Sequence, residues 1–216
     1  MNTPVVQPVH IQVTGGHIEG MLELPATAQG LVLFAHGSGS SRHSPRNNYV
    51  AQVLRDKGIG TLLLDLLTLA EDLDYQTRFD ITLLTHRLLI ATYWVKLHTP
   101  PTRHLSIGYF GASTGAAAAL QAAAALGDDI HAVVSRGGRP DLAGSHDLAK
   151  VKCPTLLLVG SRDEEVLELN REAYAQLHCT KELTIIPGAT HLFEEAGTLE
   201  EVADQATTWF SQYLTS

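Results

Sequence analysis

A run with the character of a buried strand, Leu105 to Phe110 (LSIGYF), leads into Gly111-Ala112-Ser113-Thr114-Gly115 and then into Ala116 to Leu126 (AAAALQAAAAL), which reads as helix. No other stretch constrains the fold as strongly. A G-x-S-x-G pentapeptide at such a junction makes a sharp strand-to-helix turn, its glycines letting the backbone pass without side-chain clashes. The serine hydroxyl is lifted clear of the sheet edge. The helix start brings backbone N–H groups and a positive dipole end beside it, where a developing oxyanion would sit. Taken alone, the pentapeptide also fits a glycine-rich turn that only packs a helix on a strand.

The order of the downstream residues separates these readings. A serine nucleophile needs a base within hydrogen-bond reach, and the base needs a third group to orient it. Thr155 to Val159 (TLLLV) reads as a strand ending in Gly160-Ser161-Arg162-Asp163, and Leu183 to Ile186 (LTII) as another ending in Pro187-Gly188-Ala189-Thr190-His191. Acid and histidine thus both fall just past strand ends, the edge where open α/β sheets carry ligands. The order Ser113, Asp163, His191 is that of α/β-hydrolases. His191 stands out among 11 histidines by this position. Glu164 and Glu165 compete with Asp163 for the acid role, Asp163 being closest to the strand end.

On these residues the chain resembles the α/β-hydrolase superfamily, and within it the small dienelactone-hydrolase-like group of bacterial serine esterases. The resemblance runs over nearly the whole chain. It rests on Phe34-Ala35-His36-Gly37-Ser38-Gly39, the Ser113 pentapeptide, Gly160-Ser161-Arg162-Asp163-Glu164-Glu165-Val166 and Gly188-Ala189-Thr190-His191. The segments 36–47 (HGSGSSRHSPRN) and 135–144 (SRGGRPDLAG) resemble a distinctive bacterial subgroup of hydrolases. One departure matters. Dienelactone hydrolase proper uses a cysteine nucleophile where this chain has Ser113, so the lactone substrate does not transfer directly.

The resemblance implies an α/β-hydrolase fold: a mainly parallel sheet of about eight strands, an antiparallel N-terminal hairpin and helices on both faces. Residue patterning agrees. Val9 to Val13 and His17 to Leu24 flank Thr14-Gly15-Gly16 as a hairpin. Leu31 to Ala35 and Thr61 to Leu67 read as strands, with a helix between them from Pro45 to about Lys57 that Ser44 caps. Ile81, Leu84, Leu88, Thr92 and Val95 recur at helical spacing, so 79–97 reads as a long amphipathic helix. After the alanine helix, closed by Gly127, come a short strand over Ala132 to Ser135 and a helix over Val166 to His178. Thr198 with Glu201 reads as a capping box opening the last helix. The stretch between Ser135 and Pro154 is too short for a helical lid, which implies a shallow pocket for small soluble esters. At 216 residues the chain suits one domain, 1–216.

The second half of an oxyanion hole should come from the loop after the first parallel strand, pairing the backbone N–H of Ser38 with that of Thr114. His36 is expected to fix this loop by hydrogen bonding. Arg42, Arg46, Arg136, Arg139 and Arg162 gather near the same edge. A planar guanidinium fork suits a carboxylate or phosphate, so Arg42, Arg46, Arg136 and Arg139 are candidates to hold an anionic substrate group. The competing reading is that Arg136 and Arg139 anchor loops through Asp141 or backbone carbonyls.

Net charge is −8 without a basic run, which argues against nucleic acid and anionic membrane surfaces as partners. No segment reaches the ~18 apolar residues of a membrane span, and the N-terminus lacks a basic region followed by an apolar core, so the cytoplasm is expected. Cys153 and Cys179 have no metal-type spacing. Glu71, Asp72 and Asp74 read as a solvated acidic loop rather than a cation site, and Gly37-Ser38-Gly39 lacks the lysine of a phosphate loop. Neither metal nor cofactor is expected. A homo-oligomer is compatible with the sequence.

The expected activity is acyl transfer on small carboxylic esters, with lactone opening, thioester cleavage and perhydrolysis as variants of the same chemistry. From a different class, a ligand-binding module without turnover uses the same fold.

Overall fold

The computed structural model describes residues 3–214; Met1 and Asn2, part of the N-terminal stretch considered for a targeting signal, lie outside it. Eight strands form one sheet: β1 (Val5–Val13), β2 (Gly16–Leu24), β3 (Gly30–Ala35), β4 (Ile59–Leu64), β5 (Ser106–Ala112), β6 (Ile130–Arg136), β7 (Thr155–Gly160) and β8 (Lys181–Ile186). Their order is β1-β2-β4-β3-β5-β6-β7-β8. The β1–β2 hairpin is antiparallel and joins β4 antiparallel, while β4 through β8 run parallel.

Period-two alternation in the strands divides the core into two layers. Leu31, Leu33 and Ala35 of β3 face one layer with Tyr109 of β5, whereas Val32 and Phe34 face the other with Phe110. The first layer is covered by α3 (Ile81–Leu97), α4 (Thr114–Leu126) and α6 (Glu164–Gln176). The second is covered by α1 (Pro45–Asp56) and α7 (Thr198–Leu214). Helices therefore lie on both faces, as the alternation of strands and helices implies. Ala116 to Ala119, Ala122 and Ala123 are fully buried. Their small side chains let α4 lie close on the sheet, where larger ones would overpack.

Segments without a periodic sequence signal contain short elements. Between Arg136 and Pro154 lie a single turn at Pro140–Ala143 and the four-residue α5 (Ser145–Leu148), both packed inward through Ala143 and Leu148. No lid is built there. The expected acidic loop around Glu71 is instead the short helix α2 (Leu69–Asp72), opened by a capping box between Thr68 and Glu71. Glu71 also takes the buried Arg87 of α3 as ion partner. Burial alone would raise the Glu71 carboxyl, but the hydrogen bonds from Thr68 and the Arg87 charge outweigh it and hold it below the ordinary carboxylate range. Asp72 pairs with Arg78.

The capping box expected at Thr198 does not form. Glu201 N–H donates to Gly197 O, so the helix starts on Gly197, and the Thr198 hydroxyl donates back to Glu195 O at 2.7 Å. By contrast, Ser44 caps α1 through Asn47 N–H with Pro45 at the first helical position, as the sequence predicts. Among the described residues, no helix is long and apolar enough to cross a membrane.

Candidate active site

Registers place the ends of the parallel strands level: Ala35 pairs with Gly111, Gly111 with Ser135, and Arg136 with both Ala112 and Leu158. Ser113 sits where β5 gives way to α4, with φ 51° and ψ −123°. Apart from Phe193, it is the only described non-glycine residue at positive φ. Such a conformation costs an L-residue of order 1–3 kcal/mol and persists only where surroundings over-determine it. Here the Ser113 carbonyl accepts from Ala116 N–H at 3.1 Å and Arg139 N–H at 3.0 Å, while Ser113 N–H donates to Arg136 O at 3.4 Å.

The pentapeptide's glycines are explained by close approach. A Cβ on Gly111 would stand 2.5 Å from Ala116 Cα, and one on Gly115 would collide with the Ala35 and His36 carbonyls. Gly115→Ala should therefore destabilise the fold by about 2–3 kcal/mol, the upper range for overpacking against backbone. Thermal unfolding should show a fall of roughly 5–10 °C. An unchanged midpoint would mean that α4 is free to shift away from β3.

Asp163 and His191 come together from two loops at the same edge. Ser161 N–H donates to Ile186 O at 3.0 Å, Arg162 N–H to Ala189 O at 2.9 Å, and Gly188 N–H to Ser161 Oγ at 2.8 Å. Zipped in this way, the loops set His191 Nδ1 at 2.6 Å from Asp163 Oδ2. Neither Glu164 nor Glu165 takes this place; both lie in the first turn of α6. Thr190 N–H, next to His191, donates to Glu195 Oε2 at 3.1 Å; the Thr190 side chain first, and then this backbone bond, hold the Glu195 carboxyl below its ordinary range.

Gly37 and Gly137 link these groups. A Cβ on Gly37 would meet Ser113 Cβ at 2.8 Å, and one on Gly137 would meet the His191 carbonyl at 3.1 Å and its Nδ1 at 3.6 Å. The segment 136–139 thus runs from the serine elbow to the histidine. Among the described residues no hydrogen bond joins Ser113 Oγ to His191; such contacts are commonly loose without substrate and tighten when it binds.

The loop after β3 departs from expectation in one respect. Ser38 N–H already donates to the Thr114 hydroxyl at 3.1 Å, so it must share or exchange that acceptor before it can serve an oxyanion. His36 Nδ1 lies 2.8 Å from Gly37 O and its Nε2 3.8 Å from Asp65 Oδ1, in keeping with a loop-fixing role.

The arginines separate. Arg42 is bound to Asp65 and, at 2.5 Å, to Glu19. Arg139 is bidentate to Asp141 at 2.8 and 2.9 Å, which raises its guanidinium above the ordinary range. Both are engaged by nearby carboxylates in this structure, for Arg139 as the competing loop-anchor reading has it. Arg46 pairs with Glu194 at 3.1 Å on the surface. Arg136 differs: it is buried, donates to Asn47 Oδ1 at 3.0 Å, lies 5.8 Å above the Phe193 ring, and forms no ion pair with a carboxylate of the described residues. Burial first, and then the Arg46 charge, lower it to about 10. Its Nε is buried without a hydrogen-bond partner.

A parallel sheet with an N-terminal hairpin, helices on both faces and a serine elbow at the strand ends defines an α/β-hydrolase. No protein-family model matches the chain. A crystal structure of dienelactone hydrolase from Anabaena variabilis is 54% identical, covering 98% of this chain and 99% of that chain with a TM-score of 0.93. The chain belongs to the dienelactone hydrolase family. An α/β serine hydrolase without lid from Xanthomonas campestris shares the fold at 21% identity and a TM-score of 0.79, covering 100% of this chain and 99% of that one. Two Mycobacterium tuberculosis proteins, from strains H37Rv and CDC 1551, are provisionally named phosphoribosyl transferases and are 54% identical over 213 residues. The match covers 98% of this chain but 48% of theirs, so the chain spans about half the length of these curated relatives.

Proposed function

We propose that the chain is a serine hydrolase that cleaves small carboxylic esters through an acyl-enzyme. The observation that carries this reading is the 2.6 Å contact of His191 Nδ1 with Asp163 Oδ2, at the same sheet edge as the strained elbow of Ser113. With Nδ1 engaged by the carboxylate, Nε2 is the nitrogen left to take the serine proton. Ser113 Oγ attacks the ester carbonyl, His191 receives its proton and returns it to the leaving alcohol, and Asp163 keeps the imidazole in the required tautomer. The N–H groups of Thr114 and Ser38 stabilise the oxyanion, Ser38 by turning its donor away from the Thr114 hydroxyl. Water then hydrolyses the acyl-enzyme with His191 as base. Pre-steady-state turnover of an activated ester should give a burst, with a matching mass increase on Ser113. Turnover without an acyl intermediate would overturn the reading.

Lactone opening is the second reading, favoured by the name of the 54% identical dienelactone hydrolase. A lactone is an internal ester and requires the same steps. Comparing kcat/KM on a lactone, a linear ester and a thioester decides between them. The mycobacterial relatives' name applies to proteins about twice as long. The residues gathered here suit acyl transfer, so phosphoribosyl transfer is not proposed for this chain.

Arg136 supports an anionic substrate. A guanidinium buried without a carboxylate is costly to hold, and a ligand carboxylate would supply the missing partner. Arg136→Met should lower kcat/KM on carboxylate-bearing esters about 10- to 100-fold relative to neutral ones, the range for a charged hydrogen bond. Arg139→Met should leave that ratio unchanged. An unchanged ratio in Arg136→Met would remove the anion from the proposal.

A further inference from the structure

We propose that His10, His17 and Glu19 form a three-ligand site for a borderline divalent metal ion, Zn2+ above all, on the outer face of the β1–β2 hairpin. The antiparallel register sets His10 directly opposite Glu19 and Gln12 opposite His17. His17 and Glu19, two residues apart, point to the same face of β2, and His10 lies diagonal to His17 across the ladder. The three side chains therefore converge although His10 lies on the other strand.

Their geometry suits an ion. The two imidazole rings meet edge to face with centroids 5.0 Å apart. His17 Nε2 lies 3.7 Å from Glu19 Oε1, and one ligand atom from each residue lies within 4.8 Å of the other two. Around tetrahedral zinc, with N and O ligands at about 2.0–2.2 Å, neighbouring ligand atoms stand about 3.3–3.5 Å apart. Closing the difference takes only small rotations of side chains, and both histidines are exposed. Two imidazoles and a carboxylate are a known zinc donor set that leaves a fourth position for water. Imidazole donors also favour zinc, copper and nickel over magnesium and calcium.

Glu19 is already oriented for this role. Arg42 holds its Oε2 at 2.5 Å, leaving Oε1 turned toward His17, in the manner of outer-shell partners that fix metal-binding carboxylates. Ligation is thus through Oε1 alone, since binding both oxygens would displace Arg42. Arg42 also binds Asp65, so the ion would sit one ion pair from the loop that carries Ser38. From sequence alone no metal is expected, because the spacing from His10 to His17 and Glu19 becomes a cluster only through the hairpin register.

The test is equilibrium dialysis of the chelator-stripped full chain against Zn2+, with bound metal measured for wild type, His10→Gln, His17→Gln and the double variant. The fold of each protein is checked by circular dichroism. One Zn2+ per wild-type chain is expected, with affinity reduced about tenfold or more in each single variant, at least the cost of losing an outer-shell partner. Zn2+ should also raise the wild-type melting temperature, as a ligand of the folded state does, and leave the double variant's unchanged. No binding to wild type, equal binding to the double variant, or loss in only one of the single variants would overturn the three-ligand site.

Discussion

Ser113→Ala should lose ester hydrolysis by on the order of 10^5–10^6 in kcat, and Ser113→Gly should lose it equally while melting at a higher temperature than either wild type or Ser113→Ala. The activity term follows from removing the nucleophile. The stability term follows from the backbone. At φ 51° and ψ −123° any side chain with a Cβ is strained, by about 1–3 kcal/mol, and alanine keeps that Cβ. Glycine relieves the strain but gives back about 0.5–1 kcal/mol through its freer unfolded chain. A net gain of about 1 kcal/mol raises the midpoint by about 2–4 °C in a domain of this size. Calorimetry of the three proteins reads it directly. A Ser113→Gly midpoint at or below that of Ser113→Ala would mean that the elbow stores no strain.

The second large effect belongs to the acid. Asp163→Asn should lower kcat by on the order of 10^4, because an amide facing His191 Nδ1 can donate to it and so favours the wrong tautomer. Glu164→Gln and Glu165→Gln should leave turnover close to wild type, since α6 carries both away from the 2.6 Å contact. Steady-state kinetics on one activated ester separates the three. A large loss in Glu164→Gln with none in Asp163→Asn would move the acid role along the helix.

Legibility tracks how local each signal is. The serine elbow, the strand ends before Asp163 and His191, and the Ser44–Pro45 helix start depend on neighbours in sequence, and the structure builds them where the residues indicate. Pairings between distant segments are hidden from a linear reading. Arg42 finds Glu19 and Asp65 across the sheet, Glu71 finds Arg87 on α3, and Ser38 N–H finds the Thr114 hydroxyl. None of these has a sequence signature, so the arginine cluster looks more uniform in sequence than it is in space. Arg139 with Asp141 two residues on is the one local pairing among them, and it is open to view as an anchor. Thr198 shows the opposite failure: a valid capping pattern lost to Gly197, whose φ of 82° lets the helix begin a residue earlier.

An activated serine at position 113 underlies every step of the proposed chemistry. Labelling of the folded chain with a fluorophosphonate probe, beside Ser113→Ala and His191→Ala, with the modified peptide mapped by mass spectrometry, examines it without assuming a substrate. Stoichiometric labelling at Ser113 in wild type and none in either variant is the expected result. Folded wild-type protein that resists the probe, or that is labelled at another residue, would contradict the assignment and favour a ligand-binding role for this site.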